Sequence, residues 1–150
     1  MTASAKAIRV DWVDLRQAPA LAASPGRLGM TFLPGKDEGS GGSHHRDLDR
    51  DVERLRDVYA VDTVVLLVED HELERLRVPD IAEEMEAHGI DLVRHPIPDG
   101  GFPADRVALR GTVDCIRARL ANGGNVVVAC RGGLGRTGTV VGCLLRDGGL

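Results

Sequence analysis

The chain has 150 residues, 43% of them apolar and 28% charged, with a net charge of −4. That is enough apolar content for one packed core over residues 1–150, and too little positive charge for nucleic acid or an anionic membrane surface to be the main partner. No apolar run reaches the roughly 18 residues of a membrane span, and the N-terminus lacks the pattern of a secretory leader, so we expect a soluble, cytoplasmic protein.

Ile8, Val10 and Trp12 alternate with polar residues in IRVDWVDLR (8–16), which predicts a strand, and GMTFL (29–33) predicts a second, with a loop through QAPALAASPG between them. PGKDEGSGGS (34–43) has no core-forming residues and predicts a flexible loop. His44, His45 and Asp47 invite a metal reading, but neighbours at a helix end do not converge on one ion, and we read them as solvated surface. Leu48, Val52, Leu55 and Val58 recur at helical spacing and predict a helix docked on the sheet. VDTVVLLV (61–68) predicts a central strand buried on both faces. EDHELERLRVPD (69–80) predicts a short helix stopped at Pro79, with His71 and the acids as surface groups or caps, and Ile81 and Met85 mark a further helix ending at Gly89.

DLVRHPI (91–97) is the next strand. Asp99 follows it between Pro98 and Gly100–Gly101, a setting suited to a hinged loop that swings a carboxyl over a pocket. Asp105 is the rival acid, but two residues after Pro103 it is better placed to cap the helix bearing Leu109, Val113, Ile116 and Leu120, so we prefer Asp99. Asn122, Gly123 and Gly124 end that helix. Strand and helix alternate throughout, which implies a three-layer α/β/α domain with a mostly parallel sheet, whose ligands bind at the carboxyl ends of the strands.

The most informative stretch is VVVACRGGLGRTGT (126–139), a buried strand that feeds a glycine-rich loop and then the apolar helix VVGCLL. Such a loop can curl its N–H groups toward one point, where a helix N-terminus adds partial positive charge, and so bind a phosphate-sized anion. Cys130 opens the loop as a nucleophile and Arg136 closes it as a fork able to grip two phosphate oxygens. Gly132, Gly133 and Gly135 supply the backbone freedom. Gly133, Gly135 and Gly138 also spell a dinucleotide fingerprint, but too little chain follows for its second strand. A nucleotide P-loop would need lysine where Arg136 stands, and sulfur transfer would not need a hinged aspartate. Cys115 and Cys143 fit neither a disulfide framework nor a metal motif and are expected as buried small apolar groups. No cofactor or metal is implied.

Cys130, five residues, Arg136 and Thr137 match the signature loop of the cysteine-dependent protein tyrosine and dual-specificity phosphatases. With GLGRTG (133–138), HPIPDGGFP (95–103), LERLRVPD (73–80) and LPG (33–35), the chain resembles the kinase-associated phosphatase branch and its bacterial relatives over about residues 25–150. The resemblance implies a phosphoric monoester hydrolase acting through a cysteinyl-phosphate. Cys130 would be the nucleophile, Arg136 the phosphate ligand, Thr137 the hydroxyl that assists the leaving thiolate, and Asp99 the general acid. Arg131, Gly132, Gly133, Leu134 and Gly135 would complete the binding loop, with Arg131, Arg94 and Arg106 biasing substrate choice and Phe102 beside a shallow pocket.

Two departures stand out. Ala129 occupies the place of a histidine that helps hold the thiolate in the family, and the chain stops about one helix past the loop, so the C-terminal helices and a water-positioning Gln have no counterpart. Both also suit a pseudophosphatase that binds phosphorylated partners without turnover. The implied partners are a phosphorylated protein or small phosphate ester, with an uncovered helix face available for a second copy.

Overall fold

The computed structural model describes residues 7–36 and 47–150. The expected glycine- and serine-rich loop beyond Lys36, with His44 and His45, lies outside the described residues. Five strands, β1 (Asp11–Trp12), β2 (Leu28–Phe32), β3 (Thr63–Leu66), β4 (Asp91–Arg94) and β5 (Val126–Cys130), form one sheet in the order β1-β2-β5-β3-β4. Only β1 runs antiparallel; β2, β5, β3 and β4 are parallel. Among the described residues the helices are α1 (Leu48–Asp57), α2 (Asp70–Arg75), α3 (Ile81–Ala87), α4 (Arg106–Ala121) and α5 (Gly135–Asp147).

Strand alternation divides the core in two. On one face Val64, Leu66, Val127 and Ala129 meet Val52 and Leu55 of α1, Leu73 of α2, and Ile81 and Met85 of α3. On the other, Val65, Leu67, Val126, Val128 and Cys130 meet Val113, Ile116 and Leu120 of α4, and Val140, Val141 and Leu144 of α5. The result is the three-layer α/β/α arrangement that the alternation of elements predicts.

Local chemistry explains where the elements begin and end. Asp47 caps α1 by accepting from Arg50 N–H at 3.3 Å, and Asp105 caps α4 by accepting from Ala108 N–H at 3.0 Å. The strand expected over residues 8–16 contracts to Asp11–Trp12. Ile8 and Val10 are buried as the alternation requires, but Arg54 Nε donates to Ile8 O at 2.8 Å and the Thr31 hydroxyl donates to Arg9 O at 2.7 Å, so side chains occupy carbonyls that a strand ladder would use. Val58 is exposed as the C-cap of α1, and Asp51 is buried in its stead. Helix α2 stops before Pro79 is reached, in a left-handed cap: Arg77 has φ 62° and donates its N–H to Glu74 O at 3.1 Å, and Val78 N–H donates to Leu73 O at 2.8 Å, satisfying the last carbonyls of the helix. Cys115 and Cys143 are half-buried rather than core residues.

In register, Phe32 lies beside Cys130, and Leu66 lies beside both Ala129 and Arg94. The four parallel strands therefore end in one row, and the segments after them emerge along one edge of the sheet. From β3 the chain crosses to β4 over the α2–α3 face, then returns past β3 to β5 over the α4 face, which opens a crevice at that edge.

Candidate active site

A cleft of about 520 Å³ opens at this edge, lined by Cys130, Arg131, Gly132, Leu134, Gly135 and Arg136 of the cysteine loop, by Asp99 to Phe102 of the loop after β4, and by Lys36 and Thr139. Cys130 ends β5 with its side chain on the α4–α5 face and is almost wholly buried. Loop residues 131–134 lead into α5, whose N-cap Leu134 contributes no side-chain hydrogen bond, so the first-turn N–H groups of a thirteen-residue helix have no side-chain cap.

Of the three loop glycines, only Gly133 has left-handed backbone, at φ 79°. A Cβ there would lie 2.8 Å from the Thr31 carbonyl carbon and oxygen, so Gly133 lets the loop rest against β2 and faces away from the cleft that it was expected to line. At Gly132 and Gly135 an added Cβ would meet nothing within 4 Å, so these two keep the bowl open rather than bend it. Thr137 is fully buried and does not line the cleft, and its hydroxyl has no hydrogen-bond partner. A buried hydroxyl without a partner costs about 1–3 kcal/mol.

Arg136 is held differently from the sequence expectation. Its Nη1 donates to Glu72 Oε2 at 2.7 Å and to Ile97 O at 3.0 Å, and its Nη2 donates to Glu72 Oε1 at 2.9 Å. The fork is thus closed on a carboxylate, leaving the Nε–H and the second Nη2 hydrogen as the donors for an anion in the cleft. Burial opposes the charge on Arg136, but the hydrogen bonds to Glu72 outweigh it, aided by Asp99 and Cys130, and raise its pKa. Burial likewise works against ionised Glu72, yet Arg136 and the Glu69 N–H hold its carboxyl below the ordinary 4.5.

Glu72 is the residue that sequence reasoning missed. It was expected as a surface group or cap, and it does form a reciprocal capping box with Glu69 at the start of α2, but it is also completely buried against Arg136. The capping pattern was visible in sequence; a partner 64 residues away was not.

Asp99 reaches the same guanidinium, with Oδ1 3.5 Å from Nη2 and a side chain 58% exposed. Its turn is set by Gly100 at φ 75° and by Gly101 N–H donating to Pro98 O at 2.8 Å. The start of the loop is tied down by His95, which is buried, contacts the Thr112 hydroxyl of α4 through Nδ1 at 2.8 Å, and donates its backbone N–H to Leu66 O at 3.0 Å. Burial lowers the His95 pKa, and Asp105 opposes this only in part.

Two residues expected near the rim lie elsewhere. Arg94 Nη2 donates to Val68 O at 2.7 Å and pairs with Asp70 at 3.0 Å, while Arg106 lines a separate groove between α4 and α5 with Leu109, Arg110, Val113, Cys143, Arg146 and Asp147. Lys36, by contrast, lines the cleft. Among the described residues, Asp49, Glu84 and His88, and also Glu69, His71 and Glu72, lie close enough to share an ion, but Glu72 is already committed to Arg136. No helix among the described residues is long and apolar enough to cross a membrane.

The family model described as Cyclin-dependent kinase inhibitor 3 (CDKN3) matches residues 2–147. Cyclin-dependent kinase inhibitor 3 of Sus scrofa is 34% identical over 121 residues, and that of Homo sapiens 33%, each alignment covering 79% of this chain and 53% of the relative. The chain thus spans about half the length of the curated relatives it matches. Among solved structures, the kinase associated phosphatase with its catalytic-site cysteine replaced by serine superposes with a TM-score of 0.85 at 26% identity, covering 95% of this chain and 75% of that one. Tk-PTP in its active form superposes with a TM-score of 0.61 at 32% identity, covering 83% of this chain and 71% of that one.

Proposed function

The chain belongs to the Cyclin-dependent kinase inhibitor 3 family, and from that premise we propose that it is a phosphoric monoester hydrolase of the protein tyrosine/dual-specificity type, acting through a cysteinyl-phosphate. The observation that carries this reading is the convergence of Cys130, Arg136 and Asp99, from the segments after two different strands, on one cleft. A phosphate monoester binds on the loop N–H groups and the remaining Arg136 donors, with phosphorus in line with Cys130 Sγ. Sulfur attacks as the ester P–O bond breaks, and protonated Asp99 gives its proton to the leaving oxygen, a contribution of about 10²–10⁴ in rate. A water, deprotonated by Asp99, then cleaves the S–P bond, and Thr137, whose buried hydroxyl lacks another partner, donates to the departing thiolate. The relatives are named for inhibition of cyclin-dependent kinases; for this chain we propose phosphorylated proteins as the substrate class.

Hydrolysis of an aryl phosphate in chelator tests the reading. Vanadate-sensitive turnover abolished by Cys130→Ser and reduced at least about 100-fold by Asp99→Ala is expected; turnover that survives Cys130→Ser refutes it. One observation favours a second reading, a module that binds phosphorylated partners without turnover: Ala129, where the family resemblance leads one to expect histidine, is fully buried in the apolar core. Oxyanion binding that needs Arg136, with no hydrolysis, identifies that case.

A further inference from the structure

Helices α4 and α5 leave between them a groove of about 440 Å³ that shares no lining residue with the cysteine cleft. Its apolar lining is Val113, which is buried, with Leu109 and Cys143, which are half-buried. Val107, next to Arg106 on the first turn of α4, stands 83% exposed. A large apolar side chain held in water near an apolar groove suits contact with a polypeptide better than with a small polar metabolite.

The charged lining is unbalanced. Asp147 is the acid of the groove, and it is already engaged: Oδ1 accepts from Arg110 Nη1 and Oδ2 from Arg117 Nη1, each at 2.6 Å. Arg110 also stands 3.7 Å from Asp114. There remain Arg106 on α4 and Arg146 on α5, both exposed, and neither has an ion pair or a side-chain hydrogen bond among the described residues. In a chain whose net charge is −4, two unmatched guanidiniums on the two walls of one groove are a local excess of positive charge. A free inorganic anion would leave the apolar lining uncovered, and an uncharged apolar segment would leave the arginines unmatched. A polypeptide segment that carries both apolar and acidic side chains matches both.

We propose that the α4–α5 groove is a docking surface for a partner protein, filled by a segment that lays apolar side chains on Leu109, Val113 and Cys143 and carboxylates on Arg106 and Arg146. Because the groove and the cysteine cleft are separate, both can be occupied at once.

The probe is a fluorescein-labelled peptide of leucine pairs flanked by glutamates, with counterparts in which glutamine replaces glutamate or serine replaces leucine, titrated into the full chain by fluorescence anisotropy. The parent chain is expected to bind the glutamate–leucine peptide about three- to tenfold more tightly than the glutamine–leucine peptide, the worth of two exposed charge pairs, and to lose that margin in high salt. The serine peptide should bind more weakly than the leucine peptide. Arg106→Gln combined with Arg146→Gln should remove the margin, the corresponding pair of Lys substitutions should keep most of it, and Arg106→Glu combined with Arg146→Glu should turn the preference toward a lysine–leucine peptide. In Cys130→Ser, bound peptide should slow alkylation of Cys143 by iodoacetamide and leave that of Cys115 unchanged. None of these readouts depends on turnover. Absence of saturable binding, or a peptide order that the arginine variants leave unchanged, overturns the proposal, as does binding that vanadate displaces, which would put the peptide in the cysteine cleft. A dimer in sedimentation that Arg106→Glu with Arg146→Glu dissociates would give the groove to a second copy of this chain and overturn the partner assignment.

Discussion

Glu72→Gln removes the charge that faces Arg136 while nearly preserving shape, and so isolates what the pair contributes. The parent interaction is two charge-assisted hydrogen bonds, at 2.7 and 2.9 Å, between side chains 0% and 3% exposed. Losing one partner of a buried pair altogether costs about 3–5 kcal/mol. Glutamine keeps one acceptor for the guanidinium but presents its own N–H₂ to the other nitrogen, so about half of that, ~2 kcal/mol, is the expected destabilisation. For a chain of this size it corresponds to a fall of about 4–8 °C in Tm.

The effect on turnover should be larger than stability alone explains. An Arg136 no longer clamped can leave the position from which its remaining donors meet the phosphate, and we expect kcat/KM on an aryl phosphate to fall about 10- to 100-fold, or roughly 1.4–2.7 kcal/mol. There is also a pH signature. The Glu72 carboxyl is held below 4.5, so its contribution is intact above that value and is lost as the pH falls through the lower folded pKa. Denaturant melts of the parent should therefore show a steeper acid limb than those of Glu72→Gln. A variant with Tm within about 1 °C of the parent and kcat/KM within about twofold would show that the pair neither stabilises the fold nor positions Arg136.

Gly133→Ala should cost at least about 2 kcal/mol, because the new Cβ meets the Thr31 backbone at 2.8 Å in a left-handed conformation, whereas Gly132→Ala should stay within about 0.5 kcal/mol; paired urea melts compare them. His95 has a folded pKa below the usual 6.5, so the unfolded chain binds more protons as the pH drops through that region, and stability should decline as the pH falls below 6.5 and level off once it has passed the lower folded pKa. His95→Gln should flatten that slope in the same melts. Ala129→His, the substitution that restores the family pattern, places a large polar ring at a site 0% exposed within the apolar core, and calorimetry should show about 1–3 kcal/mol of destabilisation.

What was legible in sequence was what is local. The buried valine runs of β3 and β5, the helical stripe Leu48–Val52–Leu55–Val58 as far as Leu55, the Asp105 cap and the left-handed Gly123 after α4 are each set within a few residues and stand as the pattern required, while Val58 is exposed at the cap. The cysteine loop was legible for the same reason, since its spacing is its geometry. The fork of Arg136 and the place of Lys36 were not, because their partners lie 64 and 95 residues away and only strand order brings them near. Nor does a glycine-rich string say which glycine bends. Gly133 takes the left-handed turn because β2 lies beneath it, and β2 becomes a neighbour of β5 only through a non-sequential pairing.

The groups around Arg136 come from behind three adjacent strands: Glu72 after β3, Asp99 after β4, and the arginine itself after β5. No local segment holds even two of them, and their juxtaposition requires long loops to close first, which is the slow part of assembling a sheet of this topology. Competence is thus all-or-none at the level of the single molecule. A heated or partly denatured population should lose oxyanion binding in proportion to the molecules that have come apart, with affinity unchanged in those that remain. Under mild stress such a protein falls silent rather than becoming indiscriminate.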